Sequence, residues 1–114
     1  MSVSVVVPAL NEADAVARAV RSAFDAGAAE VIVVDGGSVD ATKAAARQAG
    51  ATVVDSPRGR SRQMNAGAEA ATGDVLLFLH ADTTLPEDAF AQVRSTVERG
   101  AEGGCFRLRF DADA

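Results

Sequence analysis

The chain has 114 residues, 48% of them hydrophobic, which is enough for one packed domain and too few for two. Its net charge of −5 argues against nonspecific binding of nucleic acid or anionic membranes over the whole surface. Because Cys105 is the single cysteine, no internal disulfide can form, and a reducing, cytoplasmic location is expected. Cys105 itself is expected to be an inert buried thiol. No apolar run approaches the roughly 20 residues that span a bilayer.

The first predicted unit is a strand followed by a helix. Ser2–Val7 is apolar and rich in valine, which predicts a strand and not a signal peptide, and Pro8 ends it. Asn11 is predicted to cap the first helix, with Glu12 and Asp14 in its first turn. The apolar face of this helix is predicted to contain Val16, Val20, Ala23 and Phe24.

The second unit places a carboxylate at the end of a strand. Val31–Val34 is a β-branched run that predicts a strand buried on both faces, and Asp35 follows it directly. Ser38 is predicted to cap a helix from about Val39 to Ala49, with Asp40 in its first turn. In open α/β sheets, ligands bind at the carboxyl ends of the strands.

The remaining elements repeat this alternation. The predicted strands are a third at Ala51–Asp55, a fourth at Val75–Leu79 and a fifth at Cys105–Phe110. A third helix is predicted at Arg60–Ala71. A fourth helix is predicted after Thr84, which has capping-box spacing to Glu87, and its buried stripe is predicted to contain Phe90, Val93 and Val97. Strands that alternate with helices through short loops predict an α/β fold with a mostly parallel sheet.

Polar segments follow the first four predicted strands, and all of them are expected at one edge of the sheet. They are Pro8–Glu12, Asp35–Ser38, Ser56–Arg60 and His80–Asp82. A polar rim above an apolar sheet is typical of a nucleotide site. A dinucleotide-dependent oxidoreductase is disfavoured, because no Gly-x-Gly-x-x-Gly turn follows the first strand, and a phosphate-loop NTPase is disfavoured for want of Gly-Lys-Ser/Thr.

In this order, the motifs resemble those of family 2 glycosyltransferases with the GT-A fold. Residues 5–12, VVVPALNE, resemble the family's opening strand and Pro-x-x-Asn-Glu loop, and residues 33–40 resemble its Val-Asp-Asp-Gly-Ser-Thr-Asp turn. Residues 65–67 resemble its Asn-x-Gly segment, and residues 78–82 resemble the strand leading to its Asp-x-Asp metal site. Residues 59–68, 79–83 and 106–110 are more closely similar to a bacterial subgroup named for an association with arsenosugar biosynthesis.

The resemblance implies a Rossmann-like nucleotide-diphospho-sugar transferase fold. It also implies transfer of a sugar from a nucleotide-diphosphate donor to an unknown acceptor. Asp35 would accept a hydrogen bond from the base or ribose, and Asp82 would hold Mg²⁺ or Mn²⁺ at the diphosphate. Arg58 and Arg62 would add positive charge near the phosphates. The implied nucleotide-binding residues are Pro8, Asn11, Glu12, Asp35, Gly37, Ser38, Arg60 and His80.

Two positions depart from the family's pattern. His80 stands where the family usually has the first Asp of Asp-x-Asp, and Gly36 replaces a second Asp in the turn. The overlap covers about the first half of a typical member, so the general base is expected in the other half. An alternative is therefore a noncatalytic nucleotide-binding module or inactive fragment. Self-association through an uncovered strand edge is also expected.

The same residues also have structural interpretations. Asp35 suits a turn before two glycines, and Asp82 suits a loop before Thr83. His80 is equally compatible with a satisfied histidine at a strand end. Asn65 is predicted to be a buried residue that packs or hydrogen-bonds within the third helix, and not a ligand contact.

Overall fold

Strands and helices alternate along the part of the chain that this computed structural model describes, residues 2–91, 95 and 108–112. The elements are β1 (Val3–Ala9), α1 (Val16–Asp25), β2 (Glu30–Asp35), α2 (Thr42–Gln48), β3 (Thr52–Asp55), α3 (Arg60–Ala70), β4 (Val75–Leu79) and β5 (Leu108–Ala112). The predicted strand at 75–79 is confirmed, and the third strand and third helix each agree to within one residue. The predicted end of the first strand at Val7 is wrong, because β1 continues through Pro8, which pairs with Val34.

The five strands form one parallel sheet in the order β3-β2-β1-β4-β5, which confirms the predicted α/β class. β1 lies at the centre and pairs with β2 so that Ala9 is opposite Asp35. The strands β1, β2 and β4 are buried along almost their whole length, as expected for apolar runs covered on both faces.

Helices cover both faces of the sheet. Alternate residues of the strands point to opposite faces, so β1 contributes Val5 and Val7 to one core cluster and Val6 to the other. The first cluster includes residues of α1, such as Val20, and the second includes Ala68 of α3.

Gly67 lets α3 approach the sheet closely. A Cβ atom at this position would lie 2.2 Å from Cγ1 of Val6 and 3.0 Å from Cγ2 of Val34. The close approach brings the beginning of α3 to the carboxyl ends of β1 and β2.

The predicted beginnings of the first two helices are wrong. α1 begins at Val16 after Ala15, and Asn11 lies outside it in a left-handed conformation with φ of 54°. α2 begins at Thr42 after Ala41, so Ser38 is not its cap. Both polar residues bond between loops instead of capping a helix. Phe24, predicted on the buried face of α1, is 36% exposed.

The later predictions are only partly testable. Thr84 and Glu87 precede a helical stretch that includes residues 89–91, and Phe90 is buried there as predicted, while Val93 and Val97 lie outside the described residues. β5 begins at residue 108, and the predicted residues 105–107 lie outside the described part. Asn65 is exposed, so its predicted burial is wrong.

Among the described residues, no helix has the length and apolarity to cross a membrane.

Candidate functional site

An open cleft lies at the carboxyl edge of the sheet, between β1 and β4. From β1 the chain proceeds outward to β2 and β3, and it then returns to place β4 on the other side of β1. This change of direction separates the loops that follow β1 and β4, and ligands of open α/β sheets bind at such a point. The cleft is lined by Pro8, Arg60, Met64, Phe78, Leu79 and His80.

Asp35 presents a buried carboxylate at the end of β2, on the side of β1 away from β4. The residue is 2% exposed, and its Oδ2 accepts hydrogen bonds from the backbone N–H groups of Gly37 at 3.0 Å and Ser38 at 2.9 Å. Its Oδ1 is buried and accepts no hydrogen bond from any described residue. An orphaned buried carboxylate oxygen is costly for a fold unless a bound group supplies a donor.

The charge of Asp35 is retained at neutral pH. Burial by itself raises the pKa of this carboxyl, but hydrogen bonding by Ser38 and by the backbone N–H of Gly37 lowers the pKa by a larger amount. The positive charge of Lys43 acts in the same direction, and the net pKa lies below the ordinary value of 3.8. Asp35 is therefore an anionic acceptor.

Reciprocal hydrogen bonds join the loops that follow β1 and β2. The backbone N–H of Asn11 donates to Oγ of Ser38 at 2.8 Å, and Oδ1 of Asn11 accepts from the N–H of Val39 at 2.8 Å. The N–H of Glu12 donates to Oγ1 of the buried Thr42 at 2.9 Å. The two loops thus form one wall of the site, and Asn11, Glu12 and Ser38 are brought together as the sequence predicted.

Gly37 is required for the turn that holds Asp35. Its φ is +104°, which side-chain-bearing residues rarely adopt, and a Cβ atom there would meet nothing within 4 Å. The glycine therefore serves the backbone conformation and also leaves open space at the rim.

Arg60 of α3 contributes a positive charge to the cleft. Nη1 of Arg60 lies 3.4 Å from Nε2 of His80, and both side chains line the cleft. Arg60 is also the first residue of α3, where the helix dipole is positive. Arg58 and Arg62 are exposed and do not line the cleft.

Asp82 lies in a turn directly beyond β4, outside the cleft lining. The turn is closed by a 3.0 Å hydrogen bond from the N–H of Thr83 to the carbonyl of His80. Asp82 is exposed, and its Oδ1 accepts a 3.3 Å hydrogen bond from Oγ1 of Thr83. In the described part of the chain, no group of three or more His, Cys, Asp or Glu side chains could hold a metal ion. The carboxylate of Asp82 is a hard oxygen ligand, and phosphate oxygens and water would have to complete a cation's coordination shell there.

Sequence reasoning missed Gln63, a buried polar residue of α3 that lies below the loops of the site. It is 6% exposed and hydrogen-bonds to the ends of β1 and β2. The available signal was its spacing of four residues from Gly67, which places both on the sheet-facing side of α3.

Comparisons with known proteins agree with the fold. The family model for glycosyl transferase family 2 matches residues 4–113. An uncharacterized glycosyltransferase of Mycobacterium tuberculosis is 34% identical over 102 residues, covering 89% of this chain and 46% of that protein. The undecaprenyl-phosphate 4-deoxy-4-formamido-L-arabinose transferase of Pseudomonas fluorescens is 32% identical over 112 residues, covering 86% of this chain and 33% of that protein.

A solved structure shows the same architecture. Glucosyl-3-phosphoglycerate synthase from Mycobacterium tuberculosis, in complex with Mn²⁺, UDP and glucosyl-3-phosphoglycerate, superposes with a TM-score of 0.71 at 28% identity. The match covers 85% of this chain and 39% of the synthase chain, and the same values hold for its complex with Mg²⁺ and UDP. This chain therefore spans less than half the length of these relatives. Because the family model matches nearly its whole length, the chain belongs to glycosyl transferase family 2.

Proposed function

We propose that this chain binds the nucleotide-diphospho-sugar donor of a family 2 glycosyltransferase, which transfers the sugar to an acceptor. The observation that carries the proposal is that anionic Asp35, at the carboxyl end of β2, shares one edge of the sheet with Arg60 and His80, and its Oδ1 accepts no hydrogen bond from the described residues. A ribose hydroxyl or a base N–H is a donor of the kind this oxygen lacks. Asn11, Glu12 and Ser38 belong to the adjoining loops, and Pro8 lines the cleft.

The diphosphate is assigned to the cleft between β1 and β4. Arg60 and His80 line it, and Arg60 begins a helix of 11 residues whose amino-terminal end favours anions. Arginine suits phosphate because its planar guanidinium can donate two parallel hydrogen bonds. Exposed Arg58 and Arg62 are proposed to contribute only long-range attraction.

A divalent cation, Mg²⁺ or Mn²⁺, is assigned to Asp82. One carboxylate together with substrate phosphates is a common ligand set for Mg²⁺, so the carboxylate of Asp82 fits such an ion. The related synthase was crystallised with UDP and either Mn²⁺ or Mg²⁺. When bound, the cation would offset the charge of the departing nucleoside diphosphate.

Finer parts of the proposal rest on the sequence. Residues 1–114 are proposed to form a single donor-binding domain that is close to the bacterial subgroup named for arsenosugar biosynthesis. The protein is proposed to act in the cytoplasm, or at the inner membrane face if the acceptor is a lipid. It is also proposed to self-associate, which sedimentation would test. The comparisons do not favour the alternative of a noncatalytic nucleotide-binding module.

Calorimetric titration with UDP, GDP and dTDP, with and without Mn²⁺, tests the donor site. We expect binding of one nucleotide, strengthened by the metal. Asp35→Asn is expected to weaken binding about tenfold or more, because a charged hydrogen bond is lost. Asp82→Asn is expected to abolish the effect of the metal.

Asp25→Asn is the matched control, because Asp25 is exposed at the end of α1, just before the amino end of β2. It changes the net charge equally and is expected to leave binding unchanged. Unaltered nucleotide binding in both Asp35→Asn and Asp82→Asn would refute the proposal.

A further inference from the structure

Gln63 joins three segments that border the proposed donor site. Its Nε2 donates hydrogen bonds of 3.0 Å to the carbonyl oxygens of Ala9, at the end of β1, and Val34, near the end of β2. Its Oε1 accepts a 3.3 Å hydrogen bond from the N–H of Gly59, the residue before α3. One buried carboxamide thus connects β1, β2 and the loop that leads into α3.

Gly36 leaves room for this carboxamide. A Cβ atom at Gly36 would lie 2.9 Å from each of Cδ, Oε1 and Nε2 of Gln63. The N–H of Gly36 donates to the same carbonyl of Ala9, at 3.0 Å. The space that a side chain at position 36 would need is therefore filled by Gln63, so glycine at this position and glutamine at 63 form a matched pair.

The contacts suit an amide. Two carbonyl oxygens accept from Nε2 and the N–H of Gly59 donates to Oε1, and a carboxamide has two N–H donors on one nitrogen beside an acceptor oxygen. A glutamate would place an ionised oxygen against two carbonyls, and a methionine of similar length would leave all three groups without this partner.

Each of the three segments leads directly to a residue assigned above to the donor. Val34 precedes Asp35, Ala9 lies two residues before Asn11, and Gly59 precedes Arg60. Asp35 and Asn11 belong to the nucleoside end of the site, whereas Arg60 belongs to its phosphate end.

We propose that Gln63 is a positioning residue that holds the nucleoside and phosphate ends of the donor site in one frame. This inference rests on the proposed function. A nucleotide that engages both ends gains affinity only when the two are held at the correct separation, as for any linked pair of ligands. Ligands that engage one end alone do not depend on that separation.

The test compares Gln63→Met with the unsubstituted chain, using UDP, uridine and inorganic pyrophosphate as probes in NMR or calorimetric titrations. We expect UDP to bind about tenfold more weakly to the variant, with uridine and pyrophosphate unchanged within about twofold. A purely structural loss would weaken all three probes equally, because it would lower the folded fraction. Gln48→Met makes the same chemical change at the exposed end of α2 and is expected to change none of them.

Gly36→Ala is the second variant, for use if Gln63→Met does not fold. The added methyl group displaces the carboxamide without removing it, and the same selective loss of UDP affinity is expected. Equal weakening of the three probes, or UDP binding unchanged by the substitution, would overturn the inference alone. If the unsubstituted chain binds none of the three probes, the proposed function is overturned, and the inference is overturned with it.

Discussion

Asn11 and Ser38 lie 27 residues apart in sequence and are hydrogen-bonded, the N–H of Asn11 donating to Oγ of Ser38 at 2.8 Å. The side chain of Asn11 also bonds to the same loop, because its Oδ1 accepts a 2.8 Å hydrogen bond from the N–H of Val39. The bonds lie on an exposed rim and connect the loops that follow β1 and β2. The geometry of this wall therefore depends on polar bonds and on the backbone conformation of Asn11.

Asn11→Ala is expected to destabilise the fold by about 1–3 kcal/mol, because it removes the acceptor for Val39 and places alanine in a left-handed conformation. Asn11→Gly also removes the acceptor but relieves the backbone penalty, so its loss should be smaller. Urea unfolding midpoints at a constant m value measure both. Equal stability of Asn11→Ala and the unsubstituted chain would contradict this account.

Asp35 should make the fold sensitive to acid. Its pKa in the folded state is below the ordinary value of 3.8, despite the opposing effect of burial, because of hydrogen bonds from Ser38 and Gly37. The stabilising contribution is therefore complete above about pH 4 and is lost as the pH falls through the folded-state pKa. Asp35→Asn should reduce the slope of unfolding free energy against pH below pH 4.

The pKa of Glu30 is also lowered, so the Asp35→Asn variant should retain part of the acid sensitivity. Asp25→Asn controls for the loss of one exposed carboxylate. The same slope in Asp35→Asn as in the unsubstituted chain would show that Asp35 is not held in its charged form by the fold.

Gly67→Ala should overpack the interface between α3 and the sheet. The new methyl group would lie 2.2 Å from Cγ1 of Val6, and the measured cost of such overpacking is typically about 1–3 kcal/mol. The control is the same substitution in a Val6→Ala background, where the clashing methyl is absent. There the added cost of Gly67→Ala should be clearly smaller, and strictly additive effects in the double variant would contradict the packing described here.

Glu30 joins β2 to the segment between α3 and β4, at the opposite edge of the sheet from the site. Its Oε1 accepts hydrogen bonds from Oγ of Ser4 at 2.6 Å and from the N–H and Oγ1 of Thr72 at 2.6 and 3.1 Å. Glu30→Ala should cost about 1–3 kcal/mol, because the buried hydroxyl of Ser4 loses its acceptor.

Glu30→Gln keeps a neutral acceptor and should cost less than Glu30→Ala. Thermal unfolding followed by circular dichroism distinguishes the two. Nucleotide binding should be the same in both variants once the folded fraction is taken into account, since Glu30 lies away from the site. Equal melting temperatures for all three proteins would contradict the role given to this carboxylate.

The strands and the third helix were predictable because their signals are local. The short, wholly apolar run Val75–Leu79 favours a strand buried on both faces, and it is a strand over those residues. The order of the motifs along the chain also indicated the family, and the placement of Asp35 at the carboxyl end of β2 followed from the same pattern.

The beginnings of the first two helices were not predictable in this way. Asn11 and Ser38 are residue types that cap helices and equally residue types that bond between loops, and the sequence does not distinguish the two uses. In the fold, their partners lie on the neighbouring loop, and the helices begin several residues later, at Val16 and Thr42.

The sequence by itself thus determined the alternation of strands and helices, the family and the edge of the sheet that carries the polar residues. Tertiary structure alone decided that Oδ1 of Asp35 is buried without a hydrogen-bond partner among the described residues, and that Gln63 fills the space above Gly36. The physical reason is range: strand and helix propensities act between near neighbours in sequence. Burial and hydrogen bonding at this site instead depend on atoms from β1, β2 and α3 that meet only when the sheet has formed.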